Sequence, residues 1–101
     1  DHRDLHSFPT RRSSDLTLFN FEMIQDKVDE LCTADDDHIR QAMVLLMTKA
    51  KLMVEPSGAL PVAAALAGRL PVEKGQKVAF VLSGGNVDPA LAAQLLADVQ
   101  A

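Results

Sequence analysis

From Thr17 onward, the spacing of apolar positions and the polar breaks between them mark out the elements one after another. Phe21, Ile24, Val28 and Leu31 stand three and four apart, which predicts one short amphipathic helix over 21–31. Asp35 sits where an N-cap belongs. Asp36 and Asp37 fall in the first turn after it, where carboxylates complement the positive end of the helix dipole. That second helix is expected to run to about Met53 on a stripe of Ile39, Met43, Leu46 and Ala50, widened by Leu45, Met47 and Met53. Pro56, Gly58 and Pro61 break the pattern across 54–61. Residues 62–67 then read as an Ala-rich helix suited to close packing, with Gly68 as its C-terminal cap and Pro71 barring continuation.

Gly75 marks a turn, and Lys77–Leu82 (KVAFVL) reads as a short strand without alternation, the pattern of a strand covered on both faces in a parallel sheet. After Gly-Gly-Asn, Asp88 caps a last helix with Pro89 at its first position and Leu91, Leu95 and Val99 on one face. The order helix, helix, helix, strand, helix predicts an α/β chain, mainly helical with one clear buried strand.

Residues 1–16 share neither this composition nor this periodicity, and a reading from the residues stops at a polar tail. The run HSFPTRRSSDL, with the five residues before it, resembles a translated sequencing adapter, so 1–16 is set apart from 17–101. On that reading the remainder is expected to be a fragment of a longer protein. Arg3, Arg11 and Arg12 balance Asp1, Asp4 and Asp15, so 17–101 carries all of the net charge of −4. His2 and His6 leave with the segment, and no joint role with His38 survives.

A length of 101 residues allows one small domain. The acidic balance gives no electrostatic footprint for nucleic acid or an anionic membrane. The apolar run near Leu60–Ala67 is too short to span a bilayer. The single cysteine, Cys32, excludes an internal disulfide and is expected to be a small buried residue; a cytosolic setting is the default.

The candidate chemistry gathers at Ser83-Gly84-Gly85-Asn86. In open α/β sheets ligands sit beyond the carboxyl ends of strands, and Ser83 falls at such an end. Gly84 and Gly85 permit close approach of backbone or ligand, although the same residues also suit a plain strand–helix turn. The stretch matches neither a Walker loop nor a GxGxxG pattern. Asp35-Asp36-Asp37 reads as a cap more readily than as a metal site, because consecutive helical positions point in different directions. His38 and Arg40 have no partners that would make them candidates.

KLMVEPSGA (51–59), an Ala-rich helix, a basic turn and KVAFVLSGGNVDP (77–89) together resemble the end of the catalytic domain of serine/threonine dehydratases and serine racemases. These are pyridoxal-phosphate enzymes of fold-type II, the tryptophan-synthase-β type. VDELCTADDDHIRQAM (28–43) resembles the segment before it, and the likeness covers essentially all of 17–101. It implies an ammonia-lyase acting on a small amino acid, converting a 3-hydroxy amino acid to a 2-oxo acid and ammonia in a homo-oligomeric parent. It also implies that Ser83 hydrogen-bonds the cofactor's pyridine nitrogen beside Gly84 and Gly85. A hydroxyl cannot keep that nitrogen protonated, and the weaker electron sink favours β-elimination.

In members with a cation site, the position of Glu55 supplies a carboxylate and that of Ala59 a backbone carbonyl, with an acidic residue two further on. Here that position is Pro61, which puts Mg²⁺ or Ca²⁺ in question and leaves Glu55 as a structural hydrogen-bonding group or a residue near the cofactor. None of Lys27, Lys49, Lys51, Lys74 and Lys77 has the Ser-x-Lys context of the family's Schiff-base lysine, so the chain alone is expected to be inactive. The competing reading is a small non-enzymatic α/β interaction module with broad apolar faces.

Overall fold

The computed structural model describes residues 17–100, and the expectations for 1–16 lie outside the described residues. The elements in chain order are α1 (Leu18–Lys27), α2 (Asp36–Leu45), a π turn (Leu46–Ala50), a 3-10 turn (Pro56–Ala59), α3 (Leu60–Leu66) and α4 (Pro89–Gln100). Among the described residues no helix is long and apolar enough to cross a membrane.

Helix α1 starts three residues earlier than the stripe predicts, because the Thr17 hydroxyl accepts the Asn20 N–H at 3.1 Å and fixes the N-terminus there. It also stops short of Leu31. Asp29 and Glu30 would place carboxylates at the negative end of the dipole, and Val28 turns to extended backbone instead. Val28 and Leu31 therefore leave the stripe, and α1 buries no residue.

The cap of α2 forms as expected. Asp35 Oδ1 accepts the His38 N–H at 2.9 Å, and His38 Nδ1 lies 2.8 Å from each Asp35 oxygen. From the far side of the core, Arg69 donates to the carbonyl and hydroxyl of Thr33 at 3.1 and 3.0 Å, with Nη2 3.7 Å from Asp35. The helix does not run straight to Met53. Thr48 donates its hydroxyl back to the Val44 carbonyl at 2.8 Å, a local bond that competes with regular helix. The last turn widens to π geometry, and Lys51 closes it in the left-handed region at φ 61°.

Helix α2 packs chiefly on α3 and the 3-10 turn, and more lightly on α4. Ile39, Met43 and Leu46 are buried as the stripe predicts, while Ala50 is exposed. Ala42, Ala59 and Ala63 have no accessible surface, so small side chains set a close approach of α2 and α3. Helix α3 ends in a Schellman turn: the Gly68 N–H donates to Ala65 O and the Arg69 N–H to Ala64 O, both at 3.0 Å, with Gly68 at φ 72°. On α4, Ala92 and Leu95 are buried, whereas Leu91 and Val99 are exposed, so one residue of the expected triplet reaches the core.

The expected buried strand does not form. Among the described residues Lys77–Leu82 has no ladder partner, and regular strand exists only where a neighbour supplies the facing N–H and C=O groups. Val78, Phe80 and Val81 are exposed, Val81 to 78%. The apolar run is the one read from the sequence, but most of it is uncovered, with Leu82 alone of the run packed against the core among the described residues. Cys32, expected to be buried, is also exposed, since it lies in the irregular link between α1 and α2.

Two predictions follow from this packing. Met43→Ala removes a side chain that is 2% exposed between α2 and its neighbours. It is expected to cost about 2–5 kcal/mol, read as a lower urea midpoint of the helical circular dichroism signal. Asp35 carries a pKa below the ordinary aspartate value, first through the His38 backbone N–H and then through the His38 ring. Its contribution is therefore complete above the unfolded value of about 3.9 and is lost as pH falls through the lower folded value. Acid titration should weaken the helical signal across that window, and Asp35→Ala should remove this component.

Candidate functional site

Two segments far apart in sequence meet at the candidate site. Lys51 turns the chain out of the π turn into 52–55, which runs against Gly84-Gly85-Asn86. The Glu55 N–H donates to the Gly84 carbonyl at 2.9 Å, and Glu55 Oε1 accepts the Asn86 N–H at 3.3 Å. The glycines are needed here for approach rather than for unusual backbone angles, since the positive-φ glycines among the described residues are Gly68 and Gly75. A Cβ on Gly85 would lie 2.6 Å from the Met53 carbonyl oxygen, and one on Gly84 would overlap the Glu55 carboxyl group. The space the two glycines vacate is filled by protein.

Gly58, which sequence reasoning treated as punctuation, belongs to the same contact. A Cβ there would come within 2.9 Å of Val54 Cγ1 and 3.0 Å of the Gly84 carbonyl oxygen. Asn86 was read only as part of the turn. Its contribution is a backbone N–H, which residue type does not announce.

Ser83 is exposed at the end of the 77–82 run, immediately before the clamped glycines. The Val87 N–H then donates to the Gly85 carbonyl at 2.9 Å, and Asp88 Oδ1 accepts the Ala90 N–H at 2.9 Å to start α4. Ser83 thus stands at the start of a loop held at Gly84 and Asn86 by Glu55 and, further along, by a capped helix. Ala59 lies one turn beyond Glu55 and donates its N–H to the Glu55 carbonyl at 3.0 Å. The structure therefore brings Glu55, Ala59, Gly84 and Gly85 into one neighbourhood with Ser83. Asp37 pairs with Arg40, and Asp35 with His38, so these acids and bases serve the start of α2. Among the described residues no group of three or more His, Cys, Asp or Glu side chains gathers as a metal set would.

The family model of the pyridoxal-phosphate dependent enzymes matches residues 9–84, taking in the Glu55 segment and the loop as far as Gly84. The chain belongs to this family. The match begins inside the N-terminal segment set apart above. Membership in the pyridoxal-phosphate dependent enzymes implies the fold-type II architecture.

Three relatives are similar to it. The L-threonine ammonia-lyase of Thermotoga maritima is 42% identical over 78 residues, 77% of this chain and 18% of that protein. The L-threonine dehydratase catabolic TdcB of Escherichia coli K12 is 33% identical over 82 residues, 80% of this chain and 25% of that protein. The serine racemase of Schizosaccharomyces pombe is 34% identical over 70 residues, 69% of this chain and 21% of that protein. The chain spans about a fifth of the length of the curated relatives it matches.

Ser83 presents an exposed neutral hydroxyl from a loop that is held after it, by Glu55 and by the Asp88 cap. Gly85→Ala tests how tightly that loop is seated. The added methyl group meets a backbone oxygen that cannot rotate away. It is expected to cost about 1–3 kcal/mol, seen as a lower urea midpoint and faster hydrogen exchange of the Glu55 amide.

Proposed function

We propose that the chain is part of a cytosolic pyridoxal-phosphate-dependent threonine/serine ammonia-lyase, which converts a 3-hydroxy amino acid to a 2-oxo acid and ammonia. The observation that carries this reading is an exposed Ser83 hydroxyl on a loop locked by Glu55, in a family whose relatives here bear threonine ammonia-lyase and dehydratase names.

Bound in such a site, the cofactor supplies an electron sink for the carbanion left by α-proton removal. The work assigned to this chain is to orient the ring and to set the charge of its nitrogen. Ser83 would hydrogen-bond the pyridine nitrogen without protonating it, because an alcohol is far too weak an acid to transfer its proton there. A carboxylate in the same place would hold a proton on the nitrogen and strengthen the sink. Gly84 and Gly85 contribute through backbone alone, keeping the loop close to 53–55 so that the hydroxyl is held at one height. The lysine that would carry the cofactor is assigned to none of the five lysines here, so the activity is that of the complete protein. A cation on the Glu55 carboxylate and the Ala59 carbonyl is the competing reading of these two residues, and no step is routed through it, because Pro61 offers no carboxylate.

The test is made on the complete protein, supplied with pyridoxal phosphate and assayed for ammonia and 2-oxo acid from L-threonine and L-serine. Ser83→Ala should lower kcat by about tenfold or more, as expected when one positioned hydrogen bond to the reacting group is lost. Ser83→Asp should lower elimination and raise transamination. An enzyme indifferent to both changes would refute the role of Ser83. A stoichiometric, borohydride-trapped adduct at a single lysine of the 101-residue chain would refute the assignment of the cofactor lysine to another part of the protein.

A further inference from the structure

We infer that Glu55 is the positioning residue of the Ser83–Asn86 loop: its backbone and its carboxylate hold the loop across 31 residues of sequence and template the conformation that presents Ser83. Three contacts of one residue converge on this role. The Glu55 N–H donates to the Gly84 carbonyl at 2.9 Å. Its Oε1 accepts the Asn86 N–H at 3.3 Å, on the other side of Gly85. Its carboxyl group also occupies the place a Gly84 side chain would take, with Cδ 2.8 Å from an ideal Cβ there.

The third contact makes the two residues mutually dependent. The three heavy atoms nearest that Cβ position all belong to the Glu55 side chain, so the crowding at 84 comes first from this residue. A carboxylate engaged in this way differs from one held open for a cation, and Pro61 two residues beyond Ala59 is consistent with the difference. Reactive groups need their supports fixed to within about half an ångström, and a charged acceptor on a loop amide is a strong form of such support. The value of holding Ser83 rests on the function proposed above, but the clamp can be measured with no cofactor present.

The experiment is amide hydrogen exchange by NMR on the complete protein prepared without cofactor, with the Ser83 ¹³Cβ shift recorded alongside. In the unaltered chain the Asn86 amide should be protected. Glu55→Ala should speed its exchange about tenfold and move the Ser83 shift, whereas Glu55→Gln, which keeps the acceptor oxygen, should return both to within a few-fold of the original. Gly84→Ala alone should abolish the protection. Combined with Glu55→Ala, it should add nothing further, because the colliding carboxyl group is gone.

The inference is overturned if Asn86 is unprotected in the unaltered chain, if Glu55→Ala leaves it unchanged, or if Gly84→Ala and Glu55→Ala add independently. It is equally overturned if Glu55→Gln is as damaging as Glu55→Ala, or if Mg²⁺ or Ca²⁺ slows Asn86 exchange in the unaltered chain alone. Those last results would make the carboxylate a cation ligand. Failure of the Ser83 variants in the enzyme assay would leave these exchange results standing, so the two readings fail separately.

Discussion

The close passage of Met53-Val54-Glu55 beneath Gly84-Gly85 is the constraint on which the candidate site depends. At this crossing the Met53 carbonyl and the Glu55 carboxyl group fill the space beside the two glycines, and a methyl group on either glycine would collide with Met53 or Glu55. The crossing joins the chain's two halves where regular sheet is absent among the described residues, through the Glu55 N–H bond to the Gly84 carbonyl. Elements on both sides are arranged to permit it. Lys51 takes a left-handed backbone to turn the chain out of the π turn, and a residue with a Cβ bears a cost of about 1–2 kcal/mol there. Gly58 brings the 3-10 turn against the Gly84 backbone from a second direction.

The helical part of the fold was legible where its signals are local. Asp35 acts on an N–H three residues away and Gly68 on carbonyls of its own turn, so both could be read from adjacent letters. The stripe Ile39, Met43, Leu46 was legible for a related reason, since helical spacing alone puts the three on one face. Its end was not. The Thr48 hydroxyl bond to Val44 and the widening to π geometry respond to packing that spacing does not encode. The failure at Lys77–Leu82 is of another kind. Its apolar run has the composition of a strand covered on both faces, but strand is a property of pairs, and no partner lies beside it among the described residues.

The site divides along the same line. Ser83, Gly84 and Gly85 stood out as a hydroxyl and two glycines at the end of an apolar run, and Glu55 stood out only through the family resemblance. That Glu55 reaches a loop 31 residues further along depends on the turn at Lys51, which no local pattern reports. Gly58 and Asn86 were read only as turn residues because one contributes the absence of a side chain and the other a main-chain N–H. Backbone contributions of this sort become visible only when the neighbouring segment is in place.

These contacts also bear on what a hydroxyl at Ser83 can do. A neutral donor tunes a ring nitrogen only while its distance and direction are kept, because a hydrogen bond weakens steeply once its angle falls below about 120°. A charged partner would tolerate more motion, since its attraction falls off slowly with distance. Choosing the weaker, directional group at 83 therefore demands a stiffer loop than an aspartate would. Stiffness is what the neighbours provide: a carboxylate acceptor on Asn86, two glycines seated on backbone, and a helix cap at Asp88. On the proposed role of Ser83, the chemistry of the serine and the tight packing of the glycines would be two consequences of one requirement, a polar group that acts by position and carries no charge.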